Sequence, residues 1–402
     1  IHDDVCLAAA GGKECVVIMK IFKLLIILLL VGCKSQPSNF ATPTIPKPTK
    51  ELDNIEYKAS FLAVGDNIMH DPMIQNAQTN NGYNFTTYYQ NIRKYIESPD
   101  ISFINQETIL GGSEHGYSGY PQFNTPDEMA NTLNEIGFDV VNGSTNHSFD
   151  MGESAVDHSI QVFKQYNNIK YIGLYQNQEE KNQIPVIEKN GIRIAFLSYN
   201  QYINYDYIPS SYRYNPFDKE QIKNDVEKAK SISDAIVVSC HWGQENENTP
   251  SDFQKEYAQY LADLGVDVII GTHTHTLQNI EWLTGSNNHR TLVAYSLGNF
   301  ISGMLEEKCQ IGGMLSFDFV KKGGVVSIEN IVLTPLINHY CSDNKQNIIE
   351  NRYGFTVYRL KDYTQDLASQ HGLNGYNNIT ISIDALKQSI KEKITSDIKI
   401  NM

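Results

Sequence analysis

The chain has 402 residues, 41% of them hydrophobic, enough for one large α/β domain or two smaller ones. A formal net charge of −14 argues against nucleic acid as a partner, because proteins that bind it carry a basic face. The same charge leaves an anionic or phosphorylated substrate open, since a bound dication sets the local field.

The first element in chain order is an export signal that starts at Met19. Residues 19–23 supply a basic start, Leu24 to Val31 an apolar run, and Leu30-Val-Gly-Cys33 a lipobox, so the stretch resembles a bacterial lipoprotein signal. The apolar run is too short to span a bilayer. Residues 1–18 are then expected to be upstream translation, and 19–33 a signal lipidated at Cys33. Residues 34–57 are expected to form a tether, because Ser35 to Lys50 is rich in Pro, Ser and Thr. The expected location is the bacterial cell envelope, extracytoplasmic and held to the membrane by the N-terminal lipid.

Strands and helices alternate after the tether. Ser60 to Val64 and Ile101 to Ile104 read as strands on either side of a helix over 86–97. Pro126 opens a helix that Gly137 ends, and Phe138 to Val141 forms the next strand. A helix over 153–166, a strand from Ile192 to Leu197 and helices over 218–232 and 252–264 follow. The latter two flank the strand Ala235 to Cys240, and Val266 to Ile270 is a further buried strand ended by Gly271. Residues 277–334 switch to closely spaced strands. This order predicts a layered α/β body over 58–335. Residues 336–402 read as a polar C-terminal extension of unassigned role, with one amphipathic stretch near 384–394. The six cysteines show no metal-type spacing. Cys240 reads as packed core, and Cys309 with Cys341 is a candidate disulfide outside the cytoplasm.

Five strand ends deliver ligand-type residues: Asp66, Glu107, Asn146-His147, His241, and the pair His273 and His275. α/β folds keep their chemistry beyond the carboxyl ends of strands. Carboxylate, carboxamide and imidazole together suit one or two divalent ions such as Mn, Fe, Zn or Co. Each residue also has an ordinary structural alternative: a helix cap for Asp66, a solvated loop for Glu107, a turn for Asn146, a core histidine for His241. Asp150, three residues after His147, fits either an orienting partner for that imidazole or a helix cap. Glu245 and Asn299 are candidate substrate contacts, and Gly298-Asn299 equally reads as a turn.

Gly65-Asp66-Asn-Ile-Met69, Asn105-Gln-Glu107, Gly137-Phe-Asp-Val-Val141, Asn146-His147-Ser-Phe-Asp150-Met-Gly152, His241-Trp-Gly243-Gln-Glu245, Gly271-Thr-His273-Thr-His275 and Tyr295-Ser-Leu-Gly-Asn-Phe300 follow one another along the chain. Over about residues 58–303 the sequence thereby resembles the poly-gamma-glutamate capsule biosynthesis protein CapA family, a branch of the calcineurin-like metallophosphoesterases. The resemblance implies a four-layer αββα sandwich with a metal centre at one edge. It also implies synthesis, export or anchoring of an anionic capsule polymer, with that polymer or a phosphorylated intermediate and other capsule-assembly proteins as partners. By position, Asp66, Glu107 and His275 would hold a first ion. Glu107, Asn146, His241 and His273 would hold a second, and His147 would be the non-ligand acid. Ile68 stands where the wider superfamily has a ligand histidine, leaving His70 or water to fill the gap. A metal-dependent hydrolase is the expected activity. The alternative is a non-catalytic polymer-binding or assembly factor with a degenerate site, its aromatic rim drawn from the Tyr-rich stretches 83–95 and 199–214.

Overall fold

Alternate residues of the central strands point into different cores, and this two-residue period stacks the layers. In the strand Ile192–Asn200, Ile194 and Phe196 join the main core while Ala195, Leu197 and Tyr199 face a second one. Ala235–His241 divides Val237 from Ile236, Val238 and Cys240 in the same way, and Val268–Thr272 divides Val268 and Ile270 from Ile269. The helices Lys219–Ile232 and Asp252–Asp263 close the second core with Ile222, Val226, Ala258 and Leu261. Asp252–Asp263 starts where it does because Ser251 and Gln254 cap each other reciprocally.

The architecture is that of a computed structural model, which describes residues 55–204 and 209–402. The expected signal, Cys33 and most of the tether lie outside these residues. A nine-stranded sheet runs in the order Arg352–Arg359, Val325–Ser342, Ile311–Lys322, Glu56–Asn67, Ile101–Gln106, Val140–Asn142, Lys170–Ile172, with Asn299–Ile301 and Lys399–Ile400 pairing beside this path. A six-stranded sheet runs Ile280–Thr284, Arg290–Ala294, Val268–Thr272, Ala235–His241, Ile192–Asn200, Val186–Lys189. Phe61 of the large sheet stacks on Phe196 of the small one with centroids 6.3 Å apart. Burying such a ring stabilises the fold by roughly 1.5–3 kcal/mol relative to exposure. Beyond the large sheet, Glu128–Glu135 buries Met129, Ala130 and Leu133, and Gly152–Phe163 stacks Phe163 on Tyr171 of the strand Lys170–Ile172. Helix, sheet, sheet, helix is the expected αββα order.

Glu56–Asn67, Ile101–Gln106 and Val140–Asn142 run parallel, as do Ile192–Asn200, Ala235–His241 and Val268–Thr272. Their carboxyl ends supply every expected ligand. Among the described residues no helix is long and apolar enough to cross a membrane.

Three expectations need correction. The stretch 86–97 is not one continuous helix but two short ones, a 3-10 helix over Thr86–Tyr89 and an α-helix over Arg93–Ile96. Tyr88 and Tyr89 are both buried and bond inward, to Met73 O and Asn67 Oδ1, which a single helical face does not offer to neighbours in sequence. The break at 335/336 falls inside the strand Val325–Ser342, and the later residues complete the large sheet through Arg352–Arg359 and Lys399–Ile400. Cys309 and Cys341 are free thiols: Cys309 Sγ lies 3.1 Å from Asn246 Oδ1, and Cys341 Sγ 3.7 Å from His339 Nε2.

Candidate metal centre

The strand Val268–Thr272 ends at a turn whose backbone is strained at both histidines. His273 has φ 92° and His275 φ 60°, left-handed values that cost residues with a β-carbon about 1–3 kcal/mol each. Gly271 precedes them because a β-carbon there would sit 1.9 Å from Tyr295 O. The turn buries both imidazoles, which are 4% and 5% exposed. Strain of this kind persists only where the surroundings enforce it.

Two groups of ligand atoms converge beneath this turn. Those of Asp66, Glu107 and His275 lie within 4.8 Å of one another, and so do those of Glu107, His241 and His273. Glu107 belongs to both. Its two carboxylate oxygens and His273 Nδ1 are buried with no hydrogen-bond partner, a costly arrangement for polar atoms unless a cation satisfies them. The protonation tendencies agree. Burial, then the charges of Asp66 and Glu245, push the Glu107 carboxyl well above its usual range. Burial holds His241 far below its ordinary value and His273 at about 3, so both present neutral, ligand-ready rings. Burial is the largest single influence on His275 and opposes its charged form, but the hydrogen bond and charge of Asp66, the charge of Glu245 and the hydrogen bond to Asn299 together raise that imidazole. The donor set therefore fits divalent cations.

Outer partners set which nitrogen of each ring faces inward. His241 Nδ1 lies 2.9 Å from Thr272 Oγ1, whose hydroxyl donates onward to Cys240 O at 3.5 Å. With the proton thus at Nδ1, His241 Nε2 meets Asn146 Oδ1 at 2.9 Å, lone pair against lone pair. A cation held there would relieve that contact. His275 Nδ1 lies 3.2 Å from Asn299 Oδ1, while Asn299 Nδ2 donates to Ser302 Oγ and Cys309 O, leaving His275 Nε2 for the cluster. Asp66 is held by a relay of buried side chains across both sheets. Ser198 Oγ donates to Asn142 Oδ1 (2.6 Å), Asn142 Nδ2 to Asn105 Oδ1 (2.7 Å), and Asn105 Nδ2 to Asp66 Oδ1 (2.8 Å). Asn105 and Thr272 lie within the motifs without an assigned role, and Asn142 and Ser198 lie outside them, their one trace in the sequence being a polar residue at the end of an otherwise apolar strand.

His147 and Asp150 form a buried pair, Nδ1 to Oδ2 2.8 Å, with Phe123 N donating to the same Asp150 oxygen at 2.7 Å. Phe123 packs edge-on against the His147 ring at 4.6 Å. His147 opens onto a cleft of about 430 Å³ that Glu245 also lines. Asn299 is wholly buried behind His275, so the structure places it as a support and not at the cleft. Ile68 is buried and apolar, and His70 Nδ1 instead accepts from Gly303 N at 3.1 Å. Among the described residues His70 is not part of the Asp66 group, which offers three candidate ligands.

Residues 60–304 match the family described as bacterial capsule synthesis protein PGA_cap, more than half of the chain. The chain belongs to this family. Every residue of both PGA_cap ligand groups falls inside the matched segment. The chain is 29% identical over 218 residues to the PGA biosynthesis protein CapA of Bacillus subtilis (strain 168), covering 54% of this chain and 55% of that one. It is 27% identical over 264 residues to the capsule biosynthesis protein CapA of Bacillus anthracis, covering 63% and 62%. The chain thus spans less than two thirds of these relatives' length. Among solved structures, it is similar to a phosphatase from Mycoplasma pneumoniae with TM-score 0.45 and 11% identity, over 70% of this chain and 95% of that one. A putative 5′-nucleotidase from Staphylococcus aureus gives TM-score 0.43 and 17% identity, over 69% and 54%.

Proposed function

We propose that this PGA_cap protein is a divalent-metal-dependent hydrolase of the bacterial envelope, acting on a phosphorylated intermediate in making an anionic capsule polymer of poly-gamma-glutamate type. The observation that carries the reading is Glu107, buried, without a hydrogen-bond partner at either oxygen and common to two ligand groups. The family and the names of its Bacillus relatives support the capsule role. In this reading Asp66, Glu107 and His275 hold one ion, and Glu107, Asn146, His241 and His273 the other, with Mn, Fe, Zn and Co as candidates. When bound, such ions polarise phosphoryl oxygens and lower the pKa of water toward about 7.

The chain's own residues manage the proton. Asp150 fixes His147 with Nδ1 toward itself, so Nε2 carries the transferable proton. As a water oxygen bonds to phosphorus and the bond to the leaving oxygen breaks, Nε2 of the imidazolium protonates that oxygen, and a proton from the water converts the resulting imidazole back to imidazolium. Phe123 covers one side of the ring against solvent. Lipidation at Cys33, a tether and contacts with other capsule-assembly proteins complete the proposal. Ile68 favours a second reading, an assembly factor with an incomplete centre that binds polymer without catalysis.

Metal content of the full chain, purified without chelator, tests the proposal beside an Asn146→Ala, His241→Ala double variant checked for folding. About two ions per chain, lost in the variant, are expected for two-metal hydrolysis. One ion fits the gap at Ile68. No ion in a folded sample given Mn or Zn overturns the hydrolase and leaves the assembly factor.

A further inference from the structure

The oxygen that leaves must sit at His147 Nε2, so whatever is attached to it occupies the cleft that His147 lines. That cleft, about 430 Å³, has Tyr120, Pro121, Gln122, His147, Asn204 and Glu245 in its walls. Its volume lies in the range of small-molecule sites, roughly 300–1,000 Å³, which suits one ring and its phosphate better than a polymer chain.

Three features define what fits. Tyr120 is 74% exposed, and its ring offers an apolar face at the mouth of the cleft. Gln122, Asn204 and Glu245 bring two carboxamides and a carboxylate, groups that pair with hydroxyls. Asn204 is also tied to the centre, its N–H donating to Asn146 O at 3.1 Å and its side chain lying beside His147. Among the described residues the lining includes no lysine or arginine, and Glu245 is its one carboxylate. A phosphoryl group's charge would be matched by cations held in the ligand groups. A second negative charge on the leaving group would meet Glu245 with no compensating cation.

We infer that the cleft receives an uncharged, hydroxylated ring, the sugar of a phosphorylated sugar, stacked on Tyr120 with its hydroxyls on Gln122, Asn204 and Glu245. This rests on the hydrolase reading and narrows its substrate: the ester phosphorus–oxygen bond breaks, free sugar leaves with the proton from His147, and inorganic phosphate remains. A glutamate chain, with a carboxylate on every residue, is excluded from this cleft.

Two substrates that share a ring and differ by one carboxylate decide the matter: glucose 1-phosphate and glucuronic acid 1-phosphate, assayed for phosphate release by the full metal-loaded chain. The expected kcat/KM favours glucose 1-phosphate by about 10-fold or more, and Glu245→Gln narrows that ratio. Tyr120→Ala should raise KM for glucose 1-phosphate by about 10-fold more than for ring-free methyl phosphate. Equal or better turnover of the uronate, or of a γ-glutamyl phosphate, overturns the assignment, as does an equal effect of Tyr120→Ala on all esters. If no ester is hydrolysed, the hydrolase reading fails separately. Calorimetric binding of glucose 1-phosphate then decides the cleft: weakening by Tyr120→Ala sustains the assignment, and absence of binding refutes it.

Discussion

Replacing Glu107 with Gln should stabilise the metal-free protein and abolish its response to metal. Glu107 and Asp66 are fully buried, and their ligand oxygens lie within 4.8 Å. At an effective dielectric constant near 20, two unit charges at that separation repel by about 3.5 kcal/mol. Because burial and Asp66 raise the folded-state pKa, this group's contribution is intact below the ordinary value of 4.5 and lost as pH rises through the folded value. The metal-free chain therefore weakens from mildly acid toward neutral pH, and the isosteric carboxamide removes that decline. Proton uptake already relieves part of the repulsion, so the gain is about 1–3 kcal/mol, or about 2–6 °C in Tm. A cation at 100 times its Kd should stabilise the parent by about 2.7 kcal/mol and the variant hardly at all. Thermal melts of the full chain in chelator and in excess Mn read both effects. A variant that melts below the parent in chelator would show Glu107 to be a structural carboxylate and refute the argument.

Three further outcomes test other parts of the site and fold. His147→Ala should lower kcat by about 100- to 10,000-fold while metal content stays at the parent level, which elemental analysis beside the assay will show. Asn105→Ala breaks the relay to Asp66 and should weaken metal affinity or activity by about 10- to 100-fold, measured by metal titration and kinetics on one preparation. Asp234 joins the two sheets through Arg193 and Lys321; burial opposes its ionisation, but these partners prevail and hold its carboxyl at about 2. Its stabilisation is present above the ordinary 3.8 and lost as pH falls toward about 2, so Asp234→Asn should flatten that acid limb in urea titrations, by less than about 1 kcal/mol after solvent screening.

The ligands were legible because parallel strands end at one pole, so Asp66, Glu107, His241, His273 and His275 must meet if the strands are assigned correctly. Asn105 and Asn142 were not. Each looks like a turn former, and its role depends on Ser198, which reaches it from the other sheet through a pairing that no local pattern encodes. Asn299 read as a turn next to Gly298, yet it begins a strand that pairs parallel with Asp66, which puts its side chain behind His275. The body's end at 335 was misplaced for a compositional reason. The tail is rich in Asn, Gln and Lys, but Phe355 and Val357 still alternate inward and add a strand to the large sheet.

The relay also explains why carboxamides stand where further acids would bind metal more tightly. An Asp at position 105, 2.8 Å from Asp66, would add repulsion of about 6 kcal/mol at an effective dielectric constant of 20. A carboxamide gives direction without charge. Asp66, when ionised, only accepts, so Asn105 must turn its NH2 toward it; its oxygen then accepts from Asn142, and Asn142 in turn accepts from Ser198. Every donor along the line points at Asp66, and bonds in such a chain reinforce one another. Protonation of Asp66 Oδ1 would set donor against donor at its last link. The network is thus satisfied when Asp66 carries its charge, the state a cation needs. The strained turn at His273 and His275 leads to the same place from the other side. Its cost is sustained by imidazoles grouped with Asp66 and with Glu107, whose oxygens have no hydrogen-bond partner among the described residues.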